Sequence, residues 1–161
     1  MSPPQLKLRP ATDRDAEDVA LLVDAAYEHY IERIGRTPMP MTLDYGDEIR
    51  HKDVTVAEDG DVLAGLLVLD TTDEGFLVYN VAVHPTRKGT GIGRALLEFA
   101  ESEARRAGFD SLYLFTHEKM TENQELYARI GYVEYDRRPI EDFHIVFMRK
   151  QLAGDGRVAG A

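Results

Sequence analysis

Between Glu74 and Glu98 this chain carries no acidic residue, although it holds 29 Asp and Glu against 19 Lys and Arg overall. Inside that gap an apolar run ends at His84-Pro85, the basic residues Arg87, Lys88 and Arg94 follow, and glycines alternate at 89, 91 and 93. Val81 to Leu97 therefore reads as a strand, a turn and the start of a helix. The first N–H groups of a helix have no intrahelical partner, and its start carries roughly half a positive charge. With glycines to permit close approach and no carboxylate to repel an anion, the segment predicts a phosphate seat. The competing reading is a glycine-rich turn that only packs a helix on a sheet.

The length of 161 residues predicts one domain over residues 1–152, large enough to bury a core without staples. Zero cysteines exclude disulfides and thiolate metal ligands, no metal site is expected, and a reducing, cytoplasmic setting fits. The opening MSPPQLKLRPATDRD has no apolar run long enough for a signal peptide or membrane span. A net charge of -10 argues against nucleic-acid and anionic-membrane partners and is compatible with cationic ones.

Along the chain, Leu6 and Leu8 alternate with Lys7 and Arg9 as in a half-buried strand. Thr12-Asp13 offers an N-cap, and Val19, Leu22, Val23 and Ala26 recur at helical spacing in a helix or helix pair running to about Ile34. Gly35 to Met41, with two prolines, breaks it, and a short helix is expected around Leu43 to Arg50. Val54 to Ala57 and Val62 to Leu69 flank Asp59-Gly60, a hairpin signal. Phe76 to Val83 is apolar on both faces apart from Tyr79 and Asn80, which places it in the sheet centre. The best-defined helix runs from about Gly91 to Ala107, with Ile92, Ala95, Leu96, Phe99 and Ala100 as its apolar stripe, Glu101 and Arg105 paired on the wet side, and Gly108 as its stop. Leu112 to Phe115 is a short strand. Thr121 to Gln124 reads as a capping box for a helix ending at Gly131. Tyr132 to Tyr135 and His144 to Met148 close the sheet, and Ala153 to Ala161 is expected to be a disordered tail.

No P-loop pattern occurs. A dinucleotide turn requires G-x-G-x-x-G close after a strand and an acidic residue ending the next one. Here the spacing is G-x-G-x-G and Asp110 begins the next strand. Lys88-Gly89-Thr90-Gly91-Ile92-Gly93 instead resembles the [QR]-x-x-G-x-[GA] signature of the GNAT N-acetyltransferases, with Lys in the first position. Leu126-Tyr127-Ala128-Arg129-Ile130-Gly131-Tyr132 is similar to the family's second hallmark, L-Y-x-x-x-G-[FY].

This resemblance covers about residues 5 to 150. It implies an α/β (mixed α+β) fold, a mostly antiparallel sheet with helices on both faces, whose central strands splay to admit acetyl-coenzyme A. It implies direct transfer of an acetyl group to an amine, without a covalent enzyme intermediate. By the same resemblance Val81, Ala82 and Val83 offer backbone to the pantetheine arm, and one such N–H polarises the thioester carbonyl. The N–H groups from Lys88 through Gly89, Thr90, Gly91, Ile92 and Gly93 to Arg94 hold the pyrophosphate, with added charge from Lys88 and Arg94. Tyr127 is the proton or hydrogen-bond donor to the leaving thiolate. Asn123 stands one turn before Tyr127 and is a candidate cofactor contact, since the position where relatives carry Asn is Met120 here. Homodimers are common in the family.

The general base is open: relatives often carry a Glu on the strand that here reads Val78-Tyr79-Asn80-Val81, which leaves His84, His117, Glu118 or water. The acceptor, a small-molecule or peptide amine, is expected at residues 27 to 49, where Glu28, Glu32, Asp44, Asp47 and Glu48 with Tyr27, Tyr30 and Tyr45 suit a cation. Two other functions fit less well, a coenzyme A-binding module without catalysis and a nucleotide- or phosphate-binding regulatory domain.

Overall fold

The computed structural model describes residues 6–153. Residues 154–161, most of the expected tail, lie outside them. The elements are β1 (Leu6–Pro10), α1 (Ala16–Tyr27), α2 (Tyr30–Ile34), α3 (Tyr45–His51), β2 (Asp53–Asp59), β3 (Val62–Thr72), β4 (Gly75–Val83), α4 (Ile92–Arg106), β5 (Ser111–His117), α5 (Thr121–Arg129), β6 (Val133–Ile140) and β7 (Phe143–Gln151). Short 3-10 turns occupy Asp13–Asp15, Met39–Thr42 and Pro85–Arg87. The strands follow the order β1-β2-β3-β4-β5-β7-β6. β4 and β5 pair in parallel, whereas β1 with β2, β2 with β3, β5 with β7 and β6 with β7 are antiparallel. The sheet is thus mixed and mostly antiparallel, with the apolar run ending at Val83 as its middle strand.

The chain forms two compact units, one of residues up to Asp70 with Tyr79–Phe99, the other of Thr71–Val78 with residues from Ala100 onward. In the first, the period of two along β2 and β3 sends Val54, Val56, Leu66 and Val68 to one face. There they pack with Val19, Leu22, Val23 and Ala26 of α1 and Tyr45 of α3. Each such aliphatic side chain contributes roughly 1.5–3 kcal/mol on burial. The opposite face of β3 meets α4 at Gly65, where an added Cβ would lie 2.9 Å from Leu96 Cδ1 and 3.0 Å from Ile92 Cγ2. Helices therefore cover both faces of this part of the sheet, as the resemblance implied. The N-terminal strand is tied to α1 by Asp15, whose carboxylate accepts both Arg9 guanidinium bonds at 2.9 Å and the Thr12 N–H at 2.7 Å. Those bonds from Arg9 hold the Asp15 carboxyl down at about 2 against the opposing effect of burial.

In the second unit Phe76, Leu77 and Val78 of β4 pair with Leu112, Tyr113 and Leu114, and Phe115 faces Phe147 across β5 and β7 with ring centroids 5.7 Å apart. α4 stops as expected at Gly108 (φ 90°), with Phe109 N–H bonded to Ala104 O at 2.9 Å and Gly108 N–H to Arg105 O at 3.0 Å, a Schellman closure. Two local expectations fail here. Glu101 bonds to Lys150 Nζ at 2.8 Å, not to Arg105, because β7 brings an ammonium to a side chain only 12% exposed. No capping box opens α5: Met120 is its N-cap, and the Gln124 amide donates instead to the carbonyls of His117 (3.3 Å) and Glu118 (2.9 Å) at the end of β5. An acceptor already fixed by the strand outcompetes the helix's own first turn.

Candidate active site

The glycine segment folds as strand, 3-10 turn and helix. His84 Nδ1 accepts from the Thr86 N–H at 3.2 Å and caps the Pro85–Arg87 turn. Thr90 Oγ1 then donates to Arg87 O at 2.5 Å, and Ala95 N–H to Gly91 O at 3.0 Å makes the first backbone bond of α4. The N–H groups of Gly89, Gly91, Ile92, Gly93 and Arg94 have no backbone acceptor among the described residues. Gly89 (φ 79°) and Gly91 (φ 93°) hold left-handed backbone that a side chain disfavours, and nothing lies within 4 Å of a Cβ built on either. Gly93 has a different role: its built Cβ would meet Val83 Cγ2 at 3.5 Å, so it seats the helix start against the end of β4. Lys88 is exposed, and Arg94 faces Glu98 at 4.0 Å with both side chains largely in water. Arg87 is neutralised by Asp59 at 2.9 Å, so the acid-free window in sequence is not acid-free in space.

Tyr127 lies on α5 and is 7% exposed. The spacing of its motif is that of a Schellman closure: Tyr132 N–H bonds Tyr127 O at 2.9 Å, Gly131 N–H bonds Ala128 O at 3.2 Å, and Gly131 takes φ 110°. That closure sets the Tyr132 ring edge-on to Tyr127, centroids 6.0 Å apart. Tyr132 Oη is fully buried and has no hydrogen-bond partner among the described residues, and burial pushes the phenol well above its ordinary range. Asn123 is half-buried one turn earlier, its Nδ2 at 3.6 Å from Met120 Sδ, while Met120 is itself buried and receives Thr116 Oγ1 at 3.6 Å.

The acetyltransferase (GNAT) domain family matches residues 50–134, more than half of the chain and inclusive of both motifs. The chain belongs to this family. An IAA acetyltransferase of Azospirillum brasilense is 36% identical over 92 residues, which span 55% of this chain and 59% of that protein. The PaiA N-acetyltransferase of Thermoplasma acidophilum, solved with coenzyme A, shares the fold with a TM-score of 0.76 at 17% identity, over 94% of this chain and 99% of that one. The yncA chain of Salmonella typhimurium, assigned as an acetyltransferase and solved with its cofactor acetyl-CoA, aligns with a TM-score of 0.67 at 21% identity, over 97% and 99% of the two chains.

Where many GNAT strands carry a Glu, this one carries the buried amide of Asn80. The Asn80 Oδ1 accepts from Tyr27 Oη at 2.9 Å and its Nδ2 donates to Tyr45 Oη at 3.1 Å. The base candidates are occupied elsewhere: His84 caps its turn, His117 Nδ1 accepts from Lys119 N–H at 3.1 Å, and Glu118 faces Arg137 at 4.0 Å. Much of the expected acidic face is also in local use. Asp44 caps α3 through the Asp47 N–H at 3.1 Å, Asp47 meets His51 at 3.1 Å, and Glu48 binds Lys52 at 3.0 Å. Glu28 and Glu32 stay exposed, whereas Tyr30 is buried beneath His29 and Arg33. Sequence reading treated Asn80 only as an interruption in an apolar strand. A lone amide at the sheet centre was nevertheless a signal, because burial obliges it to find partners. Among the described residues no helix is long and apolar enough to cross a membrane, and no His, Asp and Glu group could hold a metal ion.

Proposed function

We propose that this GNAT domain transfers an acetyl group from acetyl-CoA to a primary amine by direct attack in a ternary complex. The observation that carries the donor side is the set of N–H groups of Gly89, Gly91, Ile92, Gly93 and Arg94, which have no backbone acceptor among the described residues. They fit a pyrophosphate: oriented donors, no side chain in the way at Gly89 and Gly91, and a helix start favouring negative charge. Acetyl-CoA, when bound, supplies the thioester whose carbonyl carbon the amine attacks, with the C–N bond forming as C–S breaks.

The residues of the chain bind, polarise and donate. Val81 and Val83 lie past the last β4–β5 pair, Val78 with Leu114, and their backbone suits the pantetheine arm as a strand edge. A backbone donor aimed at the developing oxyanion supplies on the order of 3 kcal/mol. Tyr127 acts as hydrogen-bond donor to the departing thiolate in this reading; full transfer from a phenol near pKa ~10 to a thiolate near ~8.5 is uphill by about 2 kcal/mol. Asn123 is a supporting cofactor contact. With an amide on β4, the attacking amine sheds its proton to water or to an imidazole released from its capping bond.

Calorimetry with acetyl-CoA against ATP and NAD, followed by thiol release over a panel of alkyl, α-amino and aryl amines, tests the proposal. Binding of acetyl-CoA with amine-dependent thiol release is the expected result. The neutral Asn80 favours one other reading, a coenzyme A-binding module, and binding without turnover on any amine would establish it.

A further inference from the structure

Four residues of the first unit, Tyr27, Asn80, Tyr45 and Pro40, form one directed hydrogen-bonded chain. Tyr45 Oη lies 2.6 Å from Pro40 O and 3.1 Å from Asn80 Nδ2. A carbonyl only accepts, so the Tyr45 proton points to Pro40 and its oxygen receives the Asn80 N–H. That assignment turns Asn80 Oδ1 to Tyr27 Oη, which donates to it at 2.9 Å with Val81 O 3.3 Å away. Asn80 and Tyr45 are 5% and 4% exposed, so water does not substitute for these bonds. The chain ends on a segment whose Met41 and Leu43 pack against the core and whose own bonds, Met41 N–H to Pro38 O at 3.0 Å and Thr42 Oγ1 to Met39 O at 2.7 Å, are internal to it.

We propose that Asn80 is a positioning residue, holding the Pro38–Leu43 segment through Tyr45 and fixing the Tyr27 hydroxyl through its own Oδ1, and so setting acceptor recognition beside the reacting strand. The acceptor role rests on the acetyltransferase reading; the mechanical role does not. The chain specifies an amide and not merely a polar group. A carboxylate of the same shape cannot donate to Tyr45, so an Asp there sets two oxygens face to face unless the Tyr45 proton turns away from Pro40. Either outcome releases the segment.

The test compares Asn80→Asp and Tyr45→Phe with the parent chain in three measurements. These are hydrogen exchange at the Met41 amide, trypsin cleavage after the exposed Arg36, and calorimetry with coenzyme A. The loss of one buried bond predicts exchange and cleavage faster by about tenfold in both variants, with coenzyme A affinity within about twofold of the parent. On the best amine of the thiol-release panel, KM for the amine should rise while KM for acetyl-CoA holds. Unchanged exchange and cleavage in folded variants would overturn the positioning role. Faster exchange with an unmoved amine KM would confine it to stability and overturn acceptor recognition. Failure of the parent chain to bind coenzyme A would instead sink the acetyltransferase reading, leaving the exchange result to judge the segment alone.

Discussion

Gly91→Ala is the sharpest probe of the donor site. A methyl at position 91 would touch nothing, so its whole cost comes from the backbone, which sits at φ 93°. Left-handed backbone costs an L-residue roughly 1–2 kcal/mol. The variant either accepts that strain, losing about 2–8 °C in Tm for a chain of this size, or relaxes the turn and misaims the N–H groups from Gly91 to Arg94. Relaxation converts the same 1–2 kcal/mol into coenzyme A affinity weakened by about 5- to 30-fold. Gly108 is the control, because it has φ 90°, equally open surroundings and a purely structural place at the end of α4. Gly108→Ala should lose comparable stability and keep its coenzyme A Kd. Melting curves and calorimetry on the two variants read both quantities. If Gly91→Ala melts like the parent, so that the turn has relaxed, and still binds coenzyme A as tightly, the start of α4 is not the pyrophosphate seat.

Tyr127→Phe keeps the ring against Tyr132 and removes only the hydroxyl, so kcat should fall by about 10- to 100-fold with coenzyme A affinity held; steady-state kinetics with an unchanged kcat would remove Tyr127 from the reaction. Tyr132→Phe deletes a buried, unpartnered hydroxyl, and urea unfolding should show a gain of about 1 kcal/mol or more; a loss would show that the hydroxyl is satisfied in the working protein. Asp15, depressed to about 2 by Arg9, contributes stability that is full above its ordinary range near 3.8 and is lost as pH falls through about 2. Asp15→Asn should therefore cost about 1–2 kcal/mol at pH 7, with the gap to the parent closing toward pH 2 in urea titrations. Finally, no carboxylate stands on β4 to take the amine proton, so kcat/KM should climb tenfold per pH unit below the pKa of whichever amine serves; a profile that levels near pH 6–7 would reveal an internal base.

What could be read from sequence was what depends on neighbours within a turn or two. Gly108 and Gly131 stop helices because a left-handed residue must follow the last turn, and the same closure explains why Tyr127, Gly131 and Tyr132 keep their spacing. The glycine turn was legible because its donors, its permissive backbone and its lack of acid are all contiguous. The misreadings involve partners brought in by the sheet. Glu101 turned to Lys150 across 49 positions, Arg87 to Asp59 across 28, and Gln124 to carbonyls already fixed at the end of β5. For Glu101 and Gln124 a local pairing of ordinary strength lost to a partner held in place by the fold, and for Arg87 the fold supplied an acid that its sequence neighbours lack.

The proposed acceptor side was illegible for the same reason, carried further. Tyr27, Pro40, Tyr45 and Asn80 form one hydrogen-bonded chain, yet Asn80 is 53 positions from Tyr27 and 35 from Tyr45. Residues 27 to 49 hold three of its four groups, but not the Asn80 that joins Tyr27 to Tyr45. The acids expected to attract a cation carry charges that a local pattern can count, but Asp44, Asp47 and Glu48 are engaged within α3 and its flanking residues. The hydrogen-bonded chain itself is neutral, and burial keeps it so, since it pushes the Tyr45 phenol well above its ordinary range. A neutral wall of hydroxyl, amide and carbonyl groups discriminates by donor and acceptor geometry, where an acidic wall would discriminate by charge. Acceptor choice in this chain should therefore respond more to the shape of the amine and its hydrogen-bonding groups than to ionic strength.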